Sequence, residues 1–371
     1  MQKQLLLFII IATSLSLCLP VVAQESRCQT TERMQELWSD PVFKAQHQKQ
    51  LNKFKSFQGN QKSVFRNPDC SNGPVVIPIA FHYQGVDATP ANIACLETLV
   101  LDQVSILNAD YSASNADIVN WDAVSSNFPD TQLGNACVEF CLPTYSHPPE
   151  SGIAEGDLAI TYNQTFPDIN NIPEWSGYLN IVIDPAFSGL GVSFVAGDFL
   201  GQTAIINACA FGSDNVASCL DAAGMTLIGP GGGCFTDPFY NKGRTVTHEV
   251  GHYLGLLHVF CDPINNGDGT ESPDCTCDDS VFQAPYIITD TPTSSEAHGG
   301  CPDIGATTTS CGTQDLFMNF LDYVDDRCMY MFTSDQATVL HDWPLFNGFS
   351  EETPTQCQQC EKKCLDVTIY R

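Results

Sequence analysis

The sequence predicts an α+β fold in two halves: a mostly parallel, twisted sheet with a backing helix and a second, histidine-bearing helix, then a loop-rich half held by disulfides. Three observations predict it. Strand-length apolar runs alternate with helical periodicity ahead of residue 245; histidines at helix spacing follow in residues 247–260; and cysteines then crowd a stretch of weak periodicity over residues 261–328.

Residues 1–23 read as a signal peptide, with Lys3, an apolar run over 5–19 and the small residue Ala23 before the cut. Leu17 is too large for the lipid-attachment alternative at Cys18, so the expected location is extracellular. Eighteen cysteines suit that oxidising compartment, and loss of Cys18 with the leader leaves an odd number. Residues 24–73 are polar, with helical spacing over 31–57 carried by Met34, Leu37, Trp38, Phe43, Leu51 and Phe54. Their charge opposes that of the body. Eight of the 15 Lys and Arg lie between Arg27 and Arg66, whereas only five of the 43 acidic residues lie between Glu25 and Asp69. A segment at about +3 against a remainder at about −32 reads as a propeptide lying on an acidic cleft and cut after Lys62 or Arg66. So acidic a body repels nucleic acid and anionic membrane, and attracts basic peptides or divalent cations; solvation alone would need the same surface.

The body opens with P-V-V-I-P-I-A-F-H-Y at 74–83, a β-branched and aromatic strand. A helix over 91–110 follows, with Ile93, Leu96, Leu99, Val100, Val104 and Leu107 on one face. Strands are predicted at 138–142, 159–162, 178–183, 192–196 and 203–208, with 192–196 near a sheet edge. The glycine run at 228–234 lacks G-K-[ST] and reads as a loop, not a phosphate cradle.

Residues 247–260 read T-H-E-V-G-H-Y-L-G-L-L-H-V-F. On a helix over 245–254, His248 and His252 share one face, four residues apart, and can reach one ion. Gly255 can take positive φ and turn the chain back, which brings His258 in as a third ligand. Three protein ligands leave one tetrahedral position for water, the arrangement of a catalytic zinc site, where the water's pKa falls to about 7. Glu249 stands beside that position as the general base. The bland alternative is a helix whose histidines are merely satisfied, but the glycine and third histidine complete the metzincin spacing. His47, His82, His147, His298 and His341 lack such spacing and read as surface or core residues.

Beyond His258, bridges replace a core. Cys261, Cys275 and Cys277 could ligate zinc but read better as bridge partners in an exported chain. The acidic run 262–279 misses EF-hand spacing at Ile264. A last helix is predicted over 334–341, followed by a tail with Cys357, Cys360 and Cys364. Cys28 is either a thiolate occupying the zinc's open position, which would keep the chain latent, or the partner of Cys70.

The zinc stretch, taken with N-F-L-D-Y-V-D-D-R-C-M-Y-M-F-T at 319–333, resembles the pappalysin family of metzincin proteases, especially its compact microbial members. L-N-A-D-Y at 107–111, V-E-F-C-L at 138–142, Y-L-N-I at 178–181, D-T-P at 290–292 and G-C-P at 300–302 support the resemblance. It implies zinc on His248, His252 and His258, Glu249 as base, and Tyr323 as a phenol steadying the tetrahedral intermediate. It further implies structural calcium with Asp290 and Thr291 as contacts, bridges from Cys301 to Cys328 and from Cys311 to an earlier partner, and preference for a basic residue just after the cut. One position departs. Leu321 stands where relatives carry the methionine beneath the zinc, a swap of similar volume that should cost below about 1.5 kcal/mol.

The reading is a secreted, monomeric zinc endopeptidase acting on peptides or proteins. Its divisions are a signal peptide (1–23), a propeptide (24–73), an N-terminal catalytic part (74–258), a C-terminal part (259–350) and a tail (351–371). The rival is a secreted adhesin or inhibitor that keeps scaffold and zinc without turnover.

Overall fold

The structure, a computed structural model, describes residues 27–60, 67–86, 89–220, 226–228, 239–260, 288–303, 305–306, 308–352, 354 and 357. The leader, Lys62 and Arg66, the run at 229–234, Cys261, Cys275 and Cys277, the acidic run 262–279, and Cys360 and Cys364 lie outside these residues.

β1 (Val75–Gln84) is the centre of the main sheet, and all but its last residue are buried. A strand covered on both faces is an apolar run without alternation, as its sequence is. It pairs in parallel with β2 (Val138–Cys141), β3 (Ile160–Gln164) and β4 (Leu179–Asp184), and β4 continues in parallel to β6 (Thr203–Asn207). β5 (Gly191–Val192) closes the edge antiparallel to β6, so the sheet is mostly parallel as predicted. A two-stranded ribbon, β7 (Cys219–Leu220) with β8 (Thr226–Ile228), stands apart.

The backing helix is α3 (Pro90–Tyr111), started by Thr89, whose side chain accepts from the Asn92 amide. The stretch Pro90–Asn127 that it opens is long and apolar enough to cross a membrane. In the fold, however, Leu96, Leu99, Val100, Leu107 and Tyr111 are buried in the core beneath the sheet. The short α4 (Trp121–Val124) follows. α3 ends by holding α5 (Arg244–Tyr253): Tyr111 Oη donates to the Thr247 carbonyl at 3.2 Å, and Thr247 Oγ1 donates to Asp110 Oδ2 at 2.7 Å. Arg244 opens α5 with its guanidinium against Asp110 and Asp117, 3.0 Å from each.

Three elements differ from expectation. The helix predicted over 31–57 is two, α1 (Thr30–Ser39) and α2 (Pro41–Asn60), because Asp40 precedes a proline and is extended, its carboxylate capping the Val42 amide. The strand predicted over 192–196 shrinks to Gly191–Val192. The next amides are taken by side chains instead: Ser193 N–H donates to Thr30 Oγ1 and Val195 N–H to Met34 Sδ. The last helix, α6 (Ser334–Phe346), opens on a Thr333–Gln336 capping box and runs five residues past the predicted end, through Pro344.

Bridges join Cys70 to Cys137, Cys95 to Cys219, Cys141 to Cys357 and Cys301 to Cys328. The last is the pairing the resemblance implied, and the first removes Cys70 as a partner for Cys28. Cys311 is also disulfide-bonded. Among the described residues of 288–333 there is no named helix or strand, and their turns are packed by buried Phe317, Phe320, Leu321, Tyr330 and Phe332.

Candidate active site

The site is built where α5 ends. Gly255, at φ +107°, turns the chain out of the helix, with its amide on the His252 carbonyl and the Leu256 amide on Gly251. His258 is thereby carried back beneath its two predecessors. The Nε2 atoms of His248, His252 and His258 lie 3.1 to 3.3 Å apart, and all three residues are buried.

Hydrogen bonding on the far side of two rings fixes what these nitrogens present. His248 Nδ1 is 2.7 Å from the Phe320 carbonyl and His252 Nδ1 is 2.8 Å from the Leu256 carbonyl. A carbonyl only accepts, so each Nδ1 carries the hydrogen and each Nε2 a bare lone pair. Burial, aided by the neighbouring imidazoles, holds His248 down to about 3 and His252 well below its ordinary range, so both stay neutral. Lone pairs facing one another at such distances repel unless a cation sits among them. The donor set therefore fits a metal ion, and N–H-to-carbonyl bonds behind the ligands are the usual means of orienting them.

Cys28 completes the set. Its Sγ is 3.6 Å from His252 Nε2, and the four ligand atoms all lie within 4.8 Å of one another. Without an ion, burial and the neighbouring Glu249 push the thiol up; a divalent cation reverses that preference and favours the thiolate.

Cys28 reaches this place because its segment lies along the sheet edge. Residues 27–29 pair with β5 in parallel: Leu190 and Gly191 amides donate to the Arg27 carbonyl at 3.0 and 3.2 Å, and the Gln29 amide to the Gly191 carbonyl at 3.0 Å. The edge is pressed against Glu249, since a Cβ on Gly191 would come within 2.6 Å of its Cγ and Oε1. Glu249 Oε2 accepts from Thr30 Oγ1 at 3.0 Å. Burial raises its carboxyl to about 8, opposed by bonds from Cys28 and Thr30 and by the Arg33 charge.

On the other side stands the 319–328 turn. Tyr323 packs its ring 4.9 Å from His258 and 5.8 Å from His248, and its hydroxyl donates to the Cys28 carbonyl at 3.3 Å. Leu321 lies under α5, where a Cβ on Gly251 would meet it at 3.1 Å. Beside the imidazoles a pocket is lined by Arg27, Tyr240, Thr245, Asp322, Asp326 and Met329. The Arg27 guanidinium lies over the Tyr240 ring at 5.0 Å, and it stands 3.8 Å from buried Asp325.

His248, Glu249, His252, His258, Tyr323 and Cys28 thus meet at one place. Asp290 and Thr291 stand apart, near the start of α6, where Asp290 Oδ2 accepts from the Asp335 amide and Thr291 Oγ1 is 3.2 Å from Thr333 Oγ1. Sequence reasoning missed Arg27, Thr30, Gly191 and the acidic pocket. The two basic or hydroxyl neighbours of Cys28 and the run of acids after Tyr323 were the available signals.

The family model described as pregnancy-associated plasma protein-A matches residues 234–343. An extracellular metalloprotease of Verticillium alfalfae is 30% identical over 263 residues, which are 71% of this chain and 75% of that protein. One of Arthroderma benhamiae is 34% identical over 175 residues, 46% of this chain and 52% of that protein. In fold, the chain is similar to Tannerella forsythia promirolysin, with a TM-score of 0.55 at 24% identity, over 86% of this chain and 93% of that one. On the extent of these likenesses the chain belongs to the pappalysin family of metzincins and is a zinc metallopeptidase.

Proposed function

We propose that the chain is a secreted zinc endopeptidase made as a latent precursor, its zinc held by His248, His252 and His258. The observation that carries this reading is the convergence of three buried imidazole nitrogens with Glu249 on one side and the Cys28 sulphur closing the fourth. Bound zinc supplies the Lewis acid that polarises a scissile carbonyl and acidifies water. The chain's own groups do the rest. Glu249, beside the imidazoles, takes the proton of the attacking water and passes it to the leaving amine. The Tyr323 phenol donates toward the oxyanion, from the position where its hydroxyl now meets the Cys28 carbonyl.

In the precursor, residues 27–30 occupy the edge that an extended peptide would use, Cys28 takes the metal's open position, and the Thr30 hydroxyl engages the base. The Cys70–Cys137 bridge ties residue 70 to the body, which supports a cut ahead of it, after Lys62 or Arg66. The pocket beside the imidazoles takes the side chain just after the cut. Asp322 and Asp326 in its lining, and the Arg27 guanidinium 3.8 Å from Asp325, support a basic residue there. Asp290 Oδ1, buried without a hydrogen-bond partner, supports Asp290 and Thr291 as contacts for a structural calcium.

The test is hydrolysis of a quenched peptide library by the chain freed of residues 24–66, with calcium present, beside its Glu249→Ala variant. Wild type should cleave before Arg and Lys, stop on zinc chelation and resume on zinc addition. Glu249→Ala should lose about two to four orders of magnitude in kcat. A zinc-loaded, correctly bridged wild type that cleaves nothing would instead make the adhesin or inhibitor the better account.

A further inference from the structure

We infer that His298 is the positioning residue for Tyr323: its ring donates to Asp322 on one side and stands in ion-pair reach of Asp315 on the other, and so fixes the turn that aims the phenol at the imidazoles. The inference rests on the role given to Tyr323 above.

His298 Nδ1 is 2.9 Å from Asp322 Oδ2 and its Nε2 is 3.3 Å from Asp315 Oδ2, with both carboxylates buried. With one carboxylate bonded at Nδ1 and a second 3.3 Å from Nε2, the ring is favoured as imidazolium. The affinity of His298 for its second proton is raised accordingly, first by the bond to Asp322, with burial opposing. Asp322 is then saturated. Its Oδ2 takes the His298 ring, and its Oδ1 takes the His298 amide at 2.8 Å and the Tyr323 amide at 2.7 Å. Asp315 is anchored in turn by Ser310, through its hydroxyl at 2.8 Å and its amide at 3.2 Å.

The consequence is a strap across the irregular half. The loop bearing His298 grips the turn immediately before Tyr323, and two residues later its Gly300 carbonyl accepts from the Asp325 amide at 2.7 Å. The next residue is Cys301, bridged to Cys328 on the turn's far side. One loop therefore holds both the turn before the phenol and Asp325, the acid that faces Arg27. His298 acts on Tyr323 through Asp322, while Asp315 holds the far side of its ring. A neutral amide in its place can satisfy one of the two acids but not both, which leaves a buried carboxylate without its counter-charge. A phenol that acts by position loses function steeply with small displacement.

The test compares His298→Gln, Tyr323→Phe and the double variant in the zinc-loaded chain freed of residues 24–66. Asp315→Asn serves as a milder second probe should His298→Gln fold poorly. His298→Gln should lower kcat about tenfold with KM within about twofold, and should lower it no further when Tyr323 is already Phe, because coupled residues are not additive. In the intact Glu249→Ala chain, amide exchange at 322–324 should quicken about tenfold in His298→Gln while α5 keeps its protection. That arm decides the inference even if the wild type proves inactive, which would overturn only the functional reading. An equal loss of kcat in the Tyr323→Phe background, or exchange at 322–324 unchanged by either variant, would overturn it.

Discussion

Two segments reach the three imidazoles from opposite sides, and they are held by different means. Residues 27–34 come along the sheet edge and engage through the Cys28 sulphur, the Thr30 hydroxyl, the Arg27 charge and a few backbone bonds to β5. Residues 319–328 form the opposite wall. Their Phe320 carbonyl holds His248, Leu321 underlies α5, the Leu321 carbonyl takes the Val259 amide, and Cys328 is bridged to Cys301. The polar contacts that residues 27–30 make at the imidazoles are ones that water, substrate or a proton can replace. The second is covalently and sterically built in. On the proposed reading the difference separates a segment that is released from a wall that stays.

The sharpest way to break this contrast is at Cys28. With Lys62 and Arg66 changed to Gln so that the segment cannot be cut away, Cys28→Ala should let the uncut chain cleave peptides on the order of a hundredfold faster than the same chain with Cys28. An uncut Cys28→Ala chain as silent as its parent would mean that Thr30 and the backbone pairing suffice for latency.

A smaller effect is expected from pH, through His47. This residue of α2 is buried with Nε2 at 2.9 Å from the Val195 carbonyl and Nδ1 at 3.2 Å from the Trp38 indole N–H, its ring stacked on Phe43. Only the neutral ring with hydrogen on Nε2 serves both partners. Burial holds its proton affinity below the ordinary value of 6.5, with the Val195 carbonyl opposing. A histidine depressed in the docked state contributes fully above its free pKa and loses that contribution as pH falls through the docked one. Docking of the segment should therefore weaken by up to about tenfold per pH unit below 6.5. Amide exchange of α1 and α2 in the Glu249→Ala chain measures this between pH 7.5 and 5. Wild-type protection that stays flat over that range, or falls equally in His47→Gln, would remove His47 from the account.

The same contrast explains what was legible in the sequence. β1, α3, β4 and α5 announce themselves because burial in regular elements imposes a period, and the His248–His258 spacing is itself a geometric statement about a helix and a turn. Cys28 was legible as a choice between two fates, and the Cys70–Cys137 bridge decides against the Cys70 pairing. The irregular half left no period to read. His298 looked like one more scattered histidine, because its partners Asp315 and Asp322 lie 17 and 24 residues away along loops whose course only the fold supplies. Thr30 and Gly191 were hidden for a related reason. Their roles arise from one chain segment lying on another, and single-segment patterns carry no record of that.

The smallest expected effect tests whether the built-in wall depends on sulphur or only on volume. Leu321 is fully buried and packs on Gly251 between the two helical histidines, in the position where the family resemblance implies a methionine. Both side chains are apolar and of similar size, and the branched leucine surrenders less rotamer freedom than the thioether. Leu321→Met should therefore shift stability by less than about 1.5 kcal/mol, or about 5 °C in Tm, and leave kcat/KM within about threefold. Calorimetry and peptide hydrolysis on the zinc-loaded chain decide it. A gain above about tenfold in kcat with Tm unchanged would show that the sulphur tunes the floor beneath the imidazoles in a way that filling the space does not.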